Sequence, residues 1–137
     1  MKITQKLIGE ISFKIIGCAI EVHKHLGPGL LESVYQMCLI EELKMCGLKV
    51  ESEMYFPILY KGKKLENKLR LDLVVEELII VELKAVEKMI PLYNAQLLSY
   101  LKLTGKPKGL LFNFNCENIR KEMDSFVTRE YALLPNE

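Results

Sequence analysis

From Leu69 to Ala85 every odd position is apolar except Glu77, while Arg70, Asp72, Glu82 and Lys84 all fall on even positions. Successive side chains of a strand point to opposite faces. Leu69, Leu71, Leu73 and Val75 are therefore expected to share one buried face with Ile79, Val81, Leu83 and Ala85. If the two segments pair as a hairpin around Glu76, Glu77 and Leu78, then Asp72 falls opposite Glu82, and Lys84 lies on the same face. A two-residue turn at Glu76 and Glu77 would slip that register and demand positive φ, which neither residue favours. A three-residue loop or a bulge is expected instead.

Facing carboxylates with Cβ atoms about 5 Å apart repel unless a proton or a cation sits between them. Magnesium takes oxygen ligands, typically one or two carboxylates plus water and substrate phosphate, which such a pair can offer. Lys84 would then hold a positive charge where an attacking water or a phosphate oxygen could sit. A lone Glu-x-Lys is commonly a solvated ion pair on a strand face. Here Ile79, Ile80, Val81 and Leu83 surround it with an almost continuous apolar run, the pattern of a strand buried on both faces. Charges there need partners.

The elements that must carry these residues can be read from periodicity. Ile8, Ile11, Ile15, Ala19, Val22 and Leu26 form the stripe of an amphipathic helix beginning near Thr4 and ended by Gly27-Pro28-Gly29. A second helix is expected from about Leu30 to Cys46, with Leu31, Val34, Cys38, Leu39 and Leu43 toward the core and Gly47 as its stop. Leu48 to Tyr60 reads as a first strand in which Pro57 marks a break or an edge. Lys61-Gly62-Lys63-Lys64 is a basic turn, and strands follow near 66–75 and 78–85. Pro91 opens a helix carrying Ala95, Leu97, Leu98, Leu101 and Leu103, closed by Thr104-Gly105-Lys106-Pro107. Gly109 to Phe114 reads as a buried strand reached by a parallel crossover, and the tail from Glu117 has no decisive pattern. The order helix, helix, three strands, helix, strand describes an α/β mixed sheet flanked by helices.

Two further pairs lie on these helices. Gln96 and Tyr100 are four apart and share a helix face, so they can reach one ligand together or simply line a surface. Glu32 and Tyr35 are three apart at a helix start, where a carboxylate is favoured by the helix dipole in any case. His23 and His25 are two apart and cannot share a helical face as paired metal ligands do. Lys61, Lys63 and Lys64 in one turn, and Lys102, Lys106 and Lys108 around a helix exit, would hold phosphates if both groups flanked the carboxylates.

The length of 137 residues suits one domain over residues 1–137. Nineteen Lys and Arg against eighteen Asp and Glu give a net charge of +1, which provides no whole-molecule attraction to nucleic acid. Cys18, Cys38, Cys46 and Cys116 lack metal-ligand spacing and read as reduced residues of a cytoplasmic protein. Lys2, Lys6, Glu10, Lys14 and Glu21 interrupt the N-terminal apolar stretch too often for a membrane span or signal core. The absence of G-x-G-x-x-G, phosphate-loop and G-x-S-x-G patterns removes dinucleotide binding, phosphate-loop hydrolysis and nucleophile-elbow chemistry as leading readings.

Asp72, then Glu82-Leu83-Lys84, then Gln96 with Tyr100 together resemble the PD-(D/E)xK nuclease superfamily, whose exonuclease-like branches add a Q-x-x-x-Y helix. Gly29-Leu30-Leu31-Glu32-Ser33-Val34-Tyr35 resembles the signature of the small GxxExxY family. Segments 70–75, 80–86, 95–101 and 109–114 resemble its remaining blocks in order. Two departures are Leu71, where the superfamily motif carries proline, and Tyr93, where histidine is common in the small family. The resemblance implies a restriction-endonuclease-like fold, a nucleic-acid substrate and a divalent ion, Mg2+ or Mn2+. It implies that Asp72 and Glu82 bind the ion with the Leu83 backbone carbonyl, and that Glu32 completes the shell directly or through water. Lys84 would orient the attacking water, while Gln96 and Tyr100 position the scissile phosphate or the nucleophile. Lys61, Lys63, Lys64, Arg70, Lys102, Lys106 and Lys108 are the expected nucleic-acid contacts.

These readings converge on a metal-dependent nuclease of DNA or RNA. A non-catalytic module of the same fold, binding nucleic acid or a protein, is the rival. Strandedness, end preference and self-association stay open.

Overall fold

A computed structural model describes residues 2–137. The first helix, α1 (Gln5–Leu26), starts where Thr4 Oγ1 accepts the Leu7 N–H at 3.0 Å and ends at Gly27, whose φ of 66° suits glycine. Its next two free N–H groups, on Gln5 and Lys6, donate to the Pro135 and Asn136 carbonyls, so the chain's C-terminus covers the start of α1. Ile8, Ile11, Ile15, Ala19 and Val22 form the buried stripe.

The second helix, α2 (Glu32–Met45), begins later than its sequence suggests. Leu31 is its N-cap in extended conformation and is 74% exposed, not part of the core, because a residue outside the first turn has no place on the helix's buried face. The buried stripe is Tyr35, Leu39 and Leu43, spaced by four.

The sheet follows as β1 (Val50–Tyr60), β2 (Lys63–Val75) and β3 (Ile79–Lys84), then α3 (Pro91–Thr104), β4 (Lys108–Asn113), β5 (Asp124–Val127) and the single turn α4 (Arg129–Ala132). Strand order is β1-β2-β3-β4-β5, with β3 and β4 parallel across the α3 crossover and the other pairs antiparallel. Pro57 lies in the edge strand β1, at a register shift, where its missing N–H costs the ladder least. The last strand and turn, β5 and α4, form from the tail that carried no clear pattern.

The β2–β3 hairpin has the expected register: Val75 pairs with Ile79, Val74 with Ile80 and Leu73 with Val81. Its loop is the expected three residues, Glu76 to Leu78, yet Glu76 and Glu77 adopt φ of 53° and 60°. The Leu78 N–H donates to the Val75 carbonyl at 3.0 Å, so a primed turn sits inside the loop after all. What holds two glutamates there is external bonding. Glu76 exchanges bonds with Lys49 through its N–H (2.8 Å) and its carboxylate (2.5 Å), and the Glu77 carbonyl accepts from Lys106 Nζ at 2.7 Å.

Helices α1 and α2 cover one sheet face, packing on Leu73, Val75, Ile79, Val81, Leu83, Leu110, Phe112 and Phe114. Helix α3 covers the other, with Leu97 and Leu101 against Val74, Ile80 and Leu111. Leu69 and Leu71 join the α3 side, so the odd-numbered row does not stay on one face as the parity implies. The break falls at Asp72: the Glu53–Asp72 pair is missing from the β1–β2 ladder, and Glu53 has φ of 49°. Beyond it the β1–β2 ribbon bends back over α3, because Lys106 Nζ reaches both the Glu77 carbonyl and the Phe56 ring, 5.9 Å from its centroid. A straight β2 would hold Leu69, the partner of Phe56, about 26 Å from Glu77. The result is the mixed α/β sheet flanked by helices that the resemblance implies.

Candidate active site

The β2–β3 ladder stops one pair short of Asp72 and Glu82, and the two carboxylates themselves explain why. Glu82 Oε1 accepts the Asp72 N–H at 3.2 Å, and Asp72 Oδ2 accepts the Leu83 N–H at 3.0 Å. Side chains thus take over two backbone donors at the fork where the strands part, and the carboxylates are fixed rather than free. Glu82 is only 4% exposed. Burial first, then the neighbouring Asp72, pushes its carboxyl up to about 9.

Lys84, two residues further along β3, donates from Nζ to Gln96 Oε1 at 3.2 Å. The same ammonium lies 4.6 Å from the centroid of the Tyr93 ring, which holds a cation by its π face. Gln96 and Tyr100 point to the sheet from one face of α3. The Tyr100 hydroxyl is raised by burial and then by Glu82 and Asp72, and lowered by Gln96, so it lies within the field of the carboxylates. Glu32 opens α2 from the opposite side. Its carboxyl is raised by burial and by Asp72 and lowered by Lys84 and Arg70, which puts it beside the same groups.

The structure therefore gathers Glu32, Asp72, Glu82, Lys84, Gln96 and Tyr100 at one end of the sheet, with Leu83 present through its backbone. It does not close them into a full cage. Among the described residues no group of three or more His, Cys, Asp or Glu side chains is placed to hold a metal ion. The donor set still fits a hard divalent ion: two carboxylates held together at the fork, one of them raised by burial and by its neighbour, match the usual carboxylate complement of Mg2+.

The basic residues divide. Arg70 lies beside the site, paired with Glu53 and lowering Glu32. Lys106 and Lys108 do not flank it. Lys108 pairs with Ile79 at one end of β3, whereas Glu82 and Lys84 pair with Leu111 and Asn113 toward the other. Lys106 is committed to Glu77 and Phe56, and burial lowers the half-buried Lys108. Lys102 is exposed in the last turn of α3, and Lys61, Lys63 and Lys64 occupy the tip of the β1–β2 arm.

Three supporting residues stand outside the expected set. Tyr93 is one. Buried Asn113 is another: its Oδ1 accepts from Val86 and Asn115, and its Nδ2 donates to the Val86 carbonyl at 3.0 Å, fixing the chain just after Lys84. A polar residue inside the run from Gly109 to Phe114 was its signal. Tyr35 is the third, with its hydroxyl donating to the Gly27 carbonyl at 2.6 Å and accepting the Leu30 N–H, and its ring stacked on Phe114. It shapes the loop that delivers Glu32.

No helix among the described residues is long and apolar enough to cross a membrane. A search of curated proteins found no match. Among solved structures, one described as the crystal structure of SSO0001 matches with a TM-score of 0.47 at 23% identity. The match covers 74% of this chain and 53% of that one, so the chain spans about half the length of that protein. The family model of the PD-(D/E)XK nuclease superfamily matches residues 9–126, a span that takes in most of α1, all of α2, the carboxylate fork, Lys84 and the α3 pair. A mixed sheet that parts around Asp72 and Glu82, with a lysine two residues on, has the restriction-endonuclease-like layout, and the chain belongs to the PD-(D/E)XK nuclease superfamily.

Proposed function

We propose that this protein is a nuclease that hydrolyses phosphodiester bonds of DNA or RNA with Mg2+ or Mn2+, and that it falls in the GxxExxY group of its superfamily. The observation that carries the reading is the fork in which Asp72 and Glu82 bond each other's strands while Lys84 is held at its mouth. Superfamily members generally use divalent ions, and Asp72, Glu82 and the Leu83 carbonyl would hold one here, with Glu32 completing the shell directly or through water. When bound, the ion supplies positive charge against the phosphate and its transition state. Lys84 brings a second positive charge to the side from which water attacks, and Gln96 and the Tyr93 ring keep that ammonium in place. Tyr100 offers a hydroxyl on the same face as Gln96 to orient a phosphate oxygen. The GxxExxY assignment is supported by the division of labour in that motif: Gly29 turns at φ of 103°, Glu32 faces Asp72, and Tyr35 bonds across the loop between them.

The test is cleavage of labelled single-stranded and duplex DNA and RNA, circular and linear, with Mg2+, Mn2+ or a chelator. Cutting should need the ion, and Glu82→Ala or Lys84→Ala should lower it by about 100-fold or more. If both variants cut as fast as the parent, the mechanism is wrong. If nothing is cut and nucleic acid still binds the variants normally, the protein is a non-catalytic binding module.

A further inference from the structure

One pair of reactive side chains lies outside the carboxylate site. Cys18, buried in α1, and Cys46, just past the last turn of α2, bring their sulfurs within 3.3 Å as free thiols. Cys116 donates instead to the Asn113 carbonyl at 3.2 Å. We propose that Cys18 and Cys46 form a redox modification site, oxidised by hydroperoxides to a disulfide that ties the C-terminal end of α2 to α1.

The two positions divide the chemistry. Cys46 is exposed, so an oxidant can reach it, whereas Cys18 is 3% exposed. Burial first, and then Cys46, pushes the Cys18 thiol up to about 12, which makes it a poor first nucleophile. The Cys46 thiolate attacks the peroxide: an S–O bond forms, the O–O bond breaks, and the departing oxygen leaves as water or alcohol after taking a proton. Cys18 sulfur then attacks Cys46 sulfur. The S–S bond forms, the S–O bond breaks, and the leaving hydroxide takes the Cys18 proton to become a second molecule of water. Two thiols and one hydroperoxide thus give one disulfide, with two electrons passing from sulfur to oxygen.

The sulfurs must close to about 2.05 Å. Cys18 lies within a long packed helix, but Cys46 is the C-cap of α2, followed by Gly47 at φ of 78°, so the movement falls on a helix end that can open locally. A partner already in contact also protects Cys46 from going beyond the sulfenic acid. The bond would lie at the far end of α2 from Glu32, about 20 Å along the helix, so it acts as a staple and not as a gate on the carboxylate site.

Treating the full chain with hydrogen peroxide, then alkylating and mapping peptides, tests this. The expected result is a Cys18–Cys46 peptide, a fall from four free thiols to two, reversal by dithiothreitol, and a melting temperature raised by about 10 °C. Cys18→Ser should leave Cys46 to run on to sulfinic or sulfonic acid, and Cys46→Ser should leave Cys18 reduced. Should Cys18→Ser fail to fold, the wild-type map and Cys46→Ser still decide. A map with Cys18 alkylatable while Cys46 is sulfinic, or with Cys46 joined to Cys38, overturns the proposal.

Discussion

Glu82 is the residue on which the candidate site turns, and its environment makes it a stability switch as well as a proposed metal ligand. Its carboxyl is raised to about 9 in the folded chain, so the folded state binds the proton more tightly than the unfolded one does. The sign follows from linkage: this group's contribution is fully present below its ordinary carboxylate range and is lost as pH rises through the folded value. Without a divalent ion, the melting temperature should therefore fall by several degrees between about pH 5 and pH 9. Glu82→Gln keeps the hydrogen-bonding shape, cannot ionise, and should flatten that slope. A divalent ion acts in the opposite sense by replacing the proton, so millimolar Mg2+ should raise the parent's melting temperature at pH 8 and leave Glu82→Gln almost unchanged. A scanning-fluorimetry grid of pH against Mg2+ for the two proteins checks both statements. Parallel curves would mean that Glu82 is not the titrating group.

At the scale of elements, the helix carrying Gln96 and Tyr100 is seated on β4 at one glycine. A Cβ on Gly109 would come 2.9 Å from a methyl of Leu97 and 2.9 Å from a methyl of Leu101, both in side chains with almost no exposure and little room to turn. Gly109→Ala should cost about 1–3 kcal/mol in a urea melt and lower cleavage by more than that destabilisation explains, because α3 must shift outward and take Gln96 away from Lys84. A drop in stability with full activity would separate the seat from the site. The same elements mark how far the sequence could be read. Alternation and the Leu73–Val81 register were legible because both strands bury their apolar rows, and Asp72 opposite Glu82 follows from counting. The bend at Glu53 was not legible: it depends on the ribbon wrapping α3, a contact between residues far apart in sequence. The positive φ of Glu76 and Glu77 is likewise fixed by Lys49 and Lys106, not by local preference. Tyr93 is one turn before Gln96 on α3, and only the tertiary approach of Lys84 gives its ring a role.

Across the whole molecule the charge nearly cancels, at +1, and several cations are already engaged: Lys106 with Glu77 and Phe56, Arg70 with Glu53, Lys49 with Glu77. Binding to nucleic acid should therefore rest on few phosphate contacts near the fork and not on a broad basic face. Each phosphate neutralised adds about −0.9 to the slope of log affinity against log salt on duplex DNA and about −0.7 on single strands, so two or three contacts give a slope no steeper than about −3. Fluorescence anisotropy with Ca2+ in place of Mg2+, to hold the complex uncut, measures that slope. The arm tip provides the contrast. Lys61, Lys63 and Lys64 lie eight or more residues from Asp72 along a ribbon that folds away over α3. Replacing all three by alanine should leave the slope within about one contact of the parent's. A parent slope near −6 that falls by three contacts in the triple variant would mean that the ribbon closes on the substrate, and that the arm belongs to the binding surface.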